Sequence, residues 1–118
     1  MTKVELAYFA GIIDGEASVG KWRAGKNRIW QARIVMTHTY RPLGNRLVHA
    51  FGGHIHEAGV GPLGRKQRYQ WMMSKQPEVR KALRLLIPFL DEKRTRAKQT
   101  LKFLDYLQAH PRPIGRFR

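Results

Sequence analysis

The stretch from Lys3 to Asp14 is apolar on nearly every side, because Val4, Leu6, Ala7, Phe9, Ala10, Ile12 and Ile13 leave almost no polar face. A helix of this kind has to be covered all round, by a core or by an interface. Gly15 follows, and glycine readily takes the left-handed backbone that ends a helix, so we expect the helix to stop there. Ala7, Gly11 and Gly15 recur at four-residue spacing. Small residues so placed let two helix backbones approach closely. Each helical glycine costs about 1 kcal/mol relative to alanine. Either a second helix or the chain's own sheet has to offset that cost, and spacing alone does not choose between them.

The next segments alternate. Ser18 to Arg23 and Ile29 to His38 read as strands, joined by a turn at Ala24-Gly25-Lys26-Asn27. In the second, Trp30, Ala32, Ile34 and Met36 suit a core, whereas Gln31, Arg33, Val35 and Thr37 suit an outer face. Lys21 and Arg23 share a side with Val19, so they reach the outer face only if a bulge re-aims them. Pro42 fits the first turn of a helix running to Phe51 and stopped by Gly52-Gly53. His54 to Ala58 and Arg68 to Ser74 read as two further strands around a glycine-rich loop, 59–66. In the last of them Tyr69, Trp71 and Met73 point inward and Arg68, Gln70 and Met72 outward. A helix from Pro77 to Leu86, broken by Pro88, precedes a final helix from about Asp91 to Ala109 and a basic tail over about 110–118. The order α-β-β-α-β-β-α-α implies a single α+β domain over residues 1–118. We expect a four-stranded antiparallel sheet with helices on one face and the other face free.

Charge narrows the partner. Lys and Arg number 23 against eight Asp and Glu, a net +15, in a chain of 118 residues. Such self-repulsion is relieved by a polyanion, and the basic residues are interleaved with aromatics, as in KWRAGKNRIW and GRKQRYQW, rather than set in a tail. That favours a folded nucleic-acid surface over an anionic membrane. A basic structural protein of a ribonucleoprotein stays open on composition. The chain has no cysteine, which excludes disulfides and thiolate zinc sites. It also has neither a long apolar run nor a signal-peptide layout, and we expect a soluble, unexported, intracellular protein. Zinc held by His54 and His56 lacks a third ligand at suitable spacing.

Asp14 and Glu16 stand where a helix macrodipole disfavours negative charge. With only eight acids in the chain, two at such a spot call for a cation. One answer is a divalent metal on carboxylate oxygens, the usual means of phosphodiester hydrolysis. The other is pairing with nearby Arg and Lys.

Phe9 to Ala17 reads F-A-G-I-I-D-G-E-A and resembles the LAGLIDADG motif, with Phe9 for the leading leucine and Ala17 for the final glycine. Met36 to Leu47 followed by F-G-G is similar to that family's second-strand and second-helix block. Pro88 to Lys98 is similar to the stretch carrying its active-site lysine. The resemblance covers about residues 4–107 and agrees with the family's αββαββα core and saddle-shaped sheet.

The resemblance implies a homing endonuclease that cuts both DNA strands with Mg²⁺ or Mn²⁺. It implies Glu16 as metal ligand, with Asp14 beside it as a second ligand or as support for the helix end. It implies Lys93 as the basic residue at the reacting phosphate, and His38 near the attacking water, either as a general base or as a satisfied surface histidine. One motif copy implies a homodimer seamed on Ala7, Phe9, Gly11 and Gly15, with a roughly palindromic target. The expected DNA contacts are Arg33, Arg68, Gln70, Lys21 and Arg23, with Arg41, Lys26 and Lys66 on the backbone. A non-cleaving DNA-binding regulator or an RNA maturase is the alternative on the same fold.

Overall fold

Thr2 opens the first helix with a capping box. Its hydroxyl accepts from the Glu5 N–H at 3.1 Å, and its own N–H donates to Glu5 Oε1 at 3.0 Å. These hydrogen bonds, the backbone one first, hold the Glu5 carboxyl below its ordinary range. The computed structural model describes residues 1–24, 29–61, 64 and 66–111. In it α1 spans Lys3–Glu16, two residues past the expected end. Gly15 stays helical, and the helix stops because Ala17 is extended and passes directly into the first strand.

The strands are β1 (Ala17–Ala24), β2 (Ile29–His38), β3 (His54–Val60) and β4 (Gln67–Met73), all antiparallel in the order β1-β2-β4-β3. Between them lies α2 (Arg41–Phe51), which begins at Arg41 with Pro42 in its first turn. Its C-cap, Gly52, has φ 100°, and Gly53 follows at φ 83° with no room for a Cβ, which would lie 2.6 Å from the Met72 carbonyl oxygen. Then come α3 (Gln76–Leu86), a 3₁₀ turn at Ile87–Phe89 imposed by Pro88, and α4 (Arg94–Ala109). The last helix thus starts at Arg94 rather than Asp91, after a turn spent on contacts described below.

The core lies on one face of the sheet. Val19, Ala32, Ile34, Met36, Trp71 and Met73 are buried there against Phe9, Ile13, Leu47, Leu83, Leu86, Ala97 and Leu104 of the helices. Burying side chains of this size against one another is the main favourable contribution to the fold. Polar ends inside it are satisfied. Trp71 Nε1 donates to the Gly52 carbonyl at 2.9 Å, and Gln76 brackets the Ala32 backbone with two bonds of 3.0 Å. The opposite face of the sheet is the open one. Among the described residues no helix is long and apolar enough to cross a membrane.

Candidate functional site

Two sides of α1 have different fates. At 3.6 residues per turn, the buried residues Leu6, Phe9, Ala10 and Ile13 share one arc, and Val4, Ala7, Tyr8, Gly11 and Gly15 share the opposite one. The outer stripe carries no charge and is exposed, with Val4 at 80% and Tyr8 at 50%. A Cβ built on Gly11 or Gly15 meets nothing within 4 Å, so this sheet does not supply the close contact their smallness permits. Phe9 is not on the stripe. It is 7% exposed and packs edge-on against Phe51, 5.4 Å between ring centres, because its position on the helix turns it into the core.

The two acids at the end of α1 are not equivalent. Asp14 Oδ2 accepts the Asp91 N–H at 2.7 Å and Oδ1 accepts the Lys93 N–H at 3.0 Å, while Lys93 Nζ donates to the Asp14 backbone carbonyl. The acid at the unfavourable end of α1 therefore sits at the favourable, N-terminal end of α4. That answers the electrostatic oddity for Asp14 but not for Glu16. Both carboxylate oxygens of Asp14 already hold amides. Glu16 is exposed and has no hydrogen bond or ion pair among the described residues. Salt bridges among those residues are confined to Asp105 with Arg80 at 2.7 Å and Arg84 at 3.5 Å. A carboxylate unpaired in a +15 chain is thus a real departure. No group of three or more acidic or histidine side chains gathers among the described residues.

Lys93 and His38 both lie at this end of the molecule. Lys93 is drawn there by Asp14. His38 is two residues beyond Met36, the register partner of Ala17, and so is at the end of the sheet where α1 enters it. Its Nδ1 accepts the Tyr40 N–H at 3.0 Å, which leaves Nε2 to carry the ring proton in the neutral form. His38 here offers a donor rather than the free lone pair of a general base.

Register decides which side chains reach the open face. Ile34 pairs with Val19 and Met73 on the core side, so the intervening positions Gln31, Arg33, Val35, Thr37, Gln70 and Met72 face outward. Arg33 is fixed by its Nε bond to Gln31 Oε1 at 3.1 Å, and Gln31 in turn donates to the Ser74 carbonyl at 3.2 Å. Arg68 bends towards β3, with Nη2 3.4 Å from the Ala58 carbonyl and Nε buried without a hydrogen-bond partner among the described residues. Arg33, Arg68 and Gln70 therefore come together on one surface as expected.

Lys21 and Arg23 do not join them. The β1–β2 register runs without a bulge, so both point to the helix side, where Lys21 Nζ lies 4.8 Å from the Phe103 ring centre and Arg23 sits 5.2 Å from that of Trp30. Arg41 lies over the Tyr69 ring at 5.3 Å, at the start of α2. Lys66 is exposed beside the β3–β4 connection. Lys26 and the tail over 112–118 lie outside the described residues.

One feature escaped the sequence reading. Arg96 of α4 reaches round the edge strand β1, its Nη1 3.4 Å from where a Gly20 Cβ would stand, beside Trp22. No local pattern announces that contact. His54 and His56 pair with Met72 and Gln70, which puts both on the open face, stacked at 5.9 Å and 28°. Their alternation around the half-buried Ile55 was a usable signal.

No family model and no curated protein matches the sequence. Solved structures do. The homing endonuclease I-CvuI in complex with its target superposes with a TM-score of 0.74 at 15% identity, over 89% of this chain and 68% of that one. The archaeal intron-encoded homing endonuclease I-Vdi141I, complexed with DNA, gives 0.74 at 16% identity over 91% and 70%. The homing endonuclease I-TnaI gives 0.68 at 18% identity over 88% and 74%. The LAGLIDADG meganuclease I-AabMI, bound to uncleaved DNA, gives 0.71 over 89% of this chain but only 38% of that one. With its motif-like segment forming α1 and a four-stranded antiparallel sheet laid beside it, the chain has the LAGLIDADG homing-endonuclease fold.

Proposed function

We propose that this chain is a site-specific DNA endonuclease subunit that works as a homodimer on a roughly palindromic duplex. The observation that carries the reading is Glu16. It is an exposed carboxylate without a partner among the described residues, at the end of a helix whose outer stripe is small, apolar and uncovered. Two copies joined along Val4, Ala7, Tyr8, Gly11 and Gly15 would cover that stripe and bring two Glu16 side chains towards one centre, one for each strand to be cut. The structural neighbours that are DNA complexes of homing endonucleases support the same substrate class.

Glu16 of each copy, with phosphate oxygens, would hold Mg²⁺ or Mn²⁺. A divalent cation so held supplies Lewis-acid polarisation of the phosphate and a water acidic enough to attack. The chain's own residues do the rest. Asp14 ties the end of α1 to the start of α4 and so fixes where Glu16 projects. Lys93 brings a positive charge to the same end for the charge that develops on the phosphate. His38 orients oxygen atoms as a donor through Nε2. Arg33, Gln31, Thr37, Gln70 and Arg68 lie across the grooves to read base edges and hold phosphates, with Arg41, Lys66 and Arg96 at the margins.

The test is cutting of a randomised palindromic duplex library in Mg²⁺, with Ca²⁺ and Glu16→Gln controls. Recurrent staggered cuts at one site, absent from both controls, are expected. Selective binding with no cutting in Mg²⁺ or Mn²⁺ would replace this reading with a DNA-binding regulator, and selective RNA binding with a maturase.

A further inference from the structure

We propose that the stacked pair His54 and His56 is a proton-linked DNA contact, so that the chain takes up protons as it binds duplex DNA. The inference rests on the open sheet face being the DNA interface, and adds a contact and a pH dependence to it. Both rings are exposed on β3, an edge strand, and lie on the same face as Gln70 and Met72. Imidazole as a class changes charge close to neutral pH.

Among the described residues, the charged groups around the pair are mostly basic. On β3 itself the one acid is Glu57, which pairs with Tyr69 and alternates to the opposite face. From β4 the ionisable neighbour is Arg68, whose guanidinium turns towards β3 at Ala58. The other element packed on β3, α2, brings Arg41, Arg46 and His49 and no acid. The two rings are stacked 5.9 Å apart beside Arg68, and among the described strand residues no carboxylate shares their face. A phosphate backbone laid over that face would supply negative charge, which favours protonated imidazole. The open face is otherwise lightly charged for a +15 chain, with Arg33 and Arg68 as its described strand cations. Two added charges there are therefore a large fraction of its attraction.

The experiment measures binding of a fluorescein-labelled mixed-sequence duplex in Ca²⁺ at about pH 6 and about pH 8, over a range of salt, for three proteins. Each proton taken up changes affinity by up to about tenfold per pH unit. Wild type should bind about tenfold or more tightly at the lower pH, with a salt slope more negative by about 1 to 2. His54→Gln with His56→Gln should lose that difference, and His54→Lys with His56→Lys should bind tightly at both pH values. Equal pH dependence in wild type and the glutamine pair overturns the proposal while leaving the DNA interface standing. Absence of DNA binding by folded wild type at either pH removes the interface itself.

Discussion

Asp14 holds Lys93 at both ends: its carboxylate accepts the lysine's backbone N–H, and its own backbone carbonyl accepts the lysine's Nζ. The same carboxylate takes the Asp91 amide, so one acid knits the C-terminus of α1 to the N-terminus of α4. The motif's first acid is thereby a structural clamp, and its second, Glu16, is left unencumbered.

The clamp makes a quantitative demand. Asp14→Ala leaves two backbone amides without their acceptor, while the backbone carbonyl that holds the Lys93 ammonium stays, and should cost about 2 kcal/mol or more, since hydrogen bonds to charged groups are worth roughly 1.5–3 kcal/mol. Asp14→Asn keeps one acceptor and should cost about half of that. Urea denaturation midpoints measure both. A variant as stable as wild type would mean that the clamp contributes nothing, and that Asp14 is available for other ligands.

Glu16→Gln separates function from stability. The side chain has no partner to lose among the described residues, and the substitution removes a negative charge from the wrong end of a helix dipole while also removing one from a strongly cationic chain. These effects oppose each other, so stability should stay within about 0.5 kcal/mol of wild type. DNA binding should persist, and metal-dependent cutting should fall below detection. Thermal melts beside a plasmid-cutting assay check the three together, and a large loss of stability would show a structural role for Glu16.

How far these residues were legible in the chain differs for physical reasons. The inward faces of β2 and β4 follow largely from local periodicity, which survives because strands present side chains at fixed intervals, whereas α1, apolar nearly all round, gives no such cue to its buried face. The Asp14 clamp does not, because its partners lie 77 and 79 residues away and only packing brings them near. Phe9 was assigned to the seam by its place in the motif, although its helical phase puts it with Ile13. Lys21 and Arg23 turned on register: alternation with Val19 put them on the helix side, and only a bulge, which β1 lacks, would have moved them. Arg96 crosses the sheet edge by tertiary placement alone.

The stripe on α1 predicts opposite effects on monomer and dimer. Gly11→Ala adds a methyl group where nothing lies within 4 Å in one copy, and should stabilise the isolated helix by about 1 kcal/mol. Gly11→Leu is equally compatible with one copy, but would hold two helix backbones apart. Sedimentation at several concentrations should find wild type dimeric and Gly11→Leu monomeric, with both folded by circular dichroism. An unchanged association for Gly11→Leu would move the seam off this face.

The capping box at Thr2 makes the start of α1 sensitive to acid. The Glu5 carboxyl is held below its ordinary range by the Thr2 amide and then by the Thr2 hydroxyl, so its folded pKa is lower than its unfolded one. A depressed carboxylate contributes stability above the unfolded pKa and loses that contribution as pH falls through the folded value. Both conditions lie on the acid side of neutrality, so the cap should be intact at neutral pH and fail below the usual carboxylate range. Amide exchange in the first turn of α1 should accelerate there in wild type. Thr2→Ala removes the hydroxyl acceptor for the Glu5 N–H and weakens the reciprocal arrangement, so its first turn should exchange fast at neutral pH already and change less on acidification. The two proteins should converge at low pH, and a constant gap between them at every pH would show that Glu5 carries none of the effect.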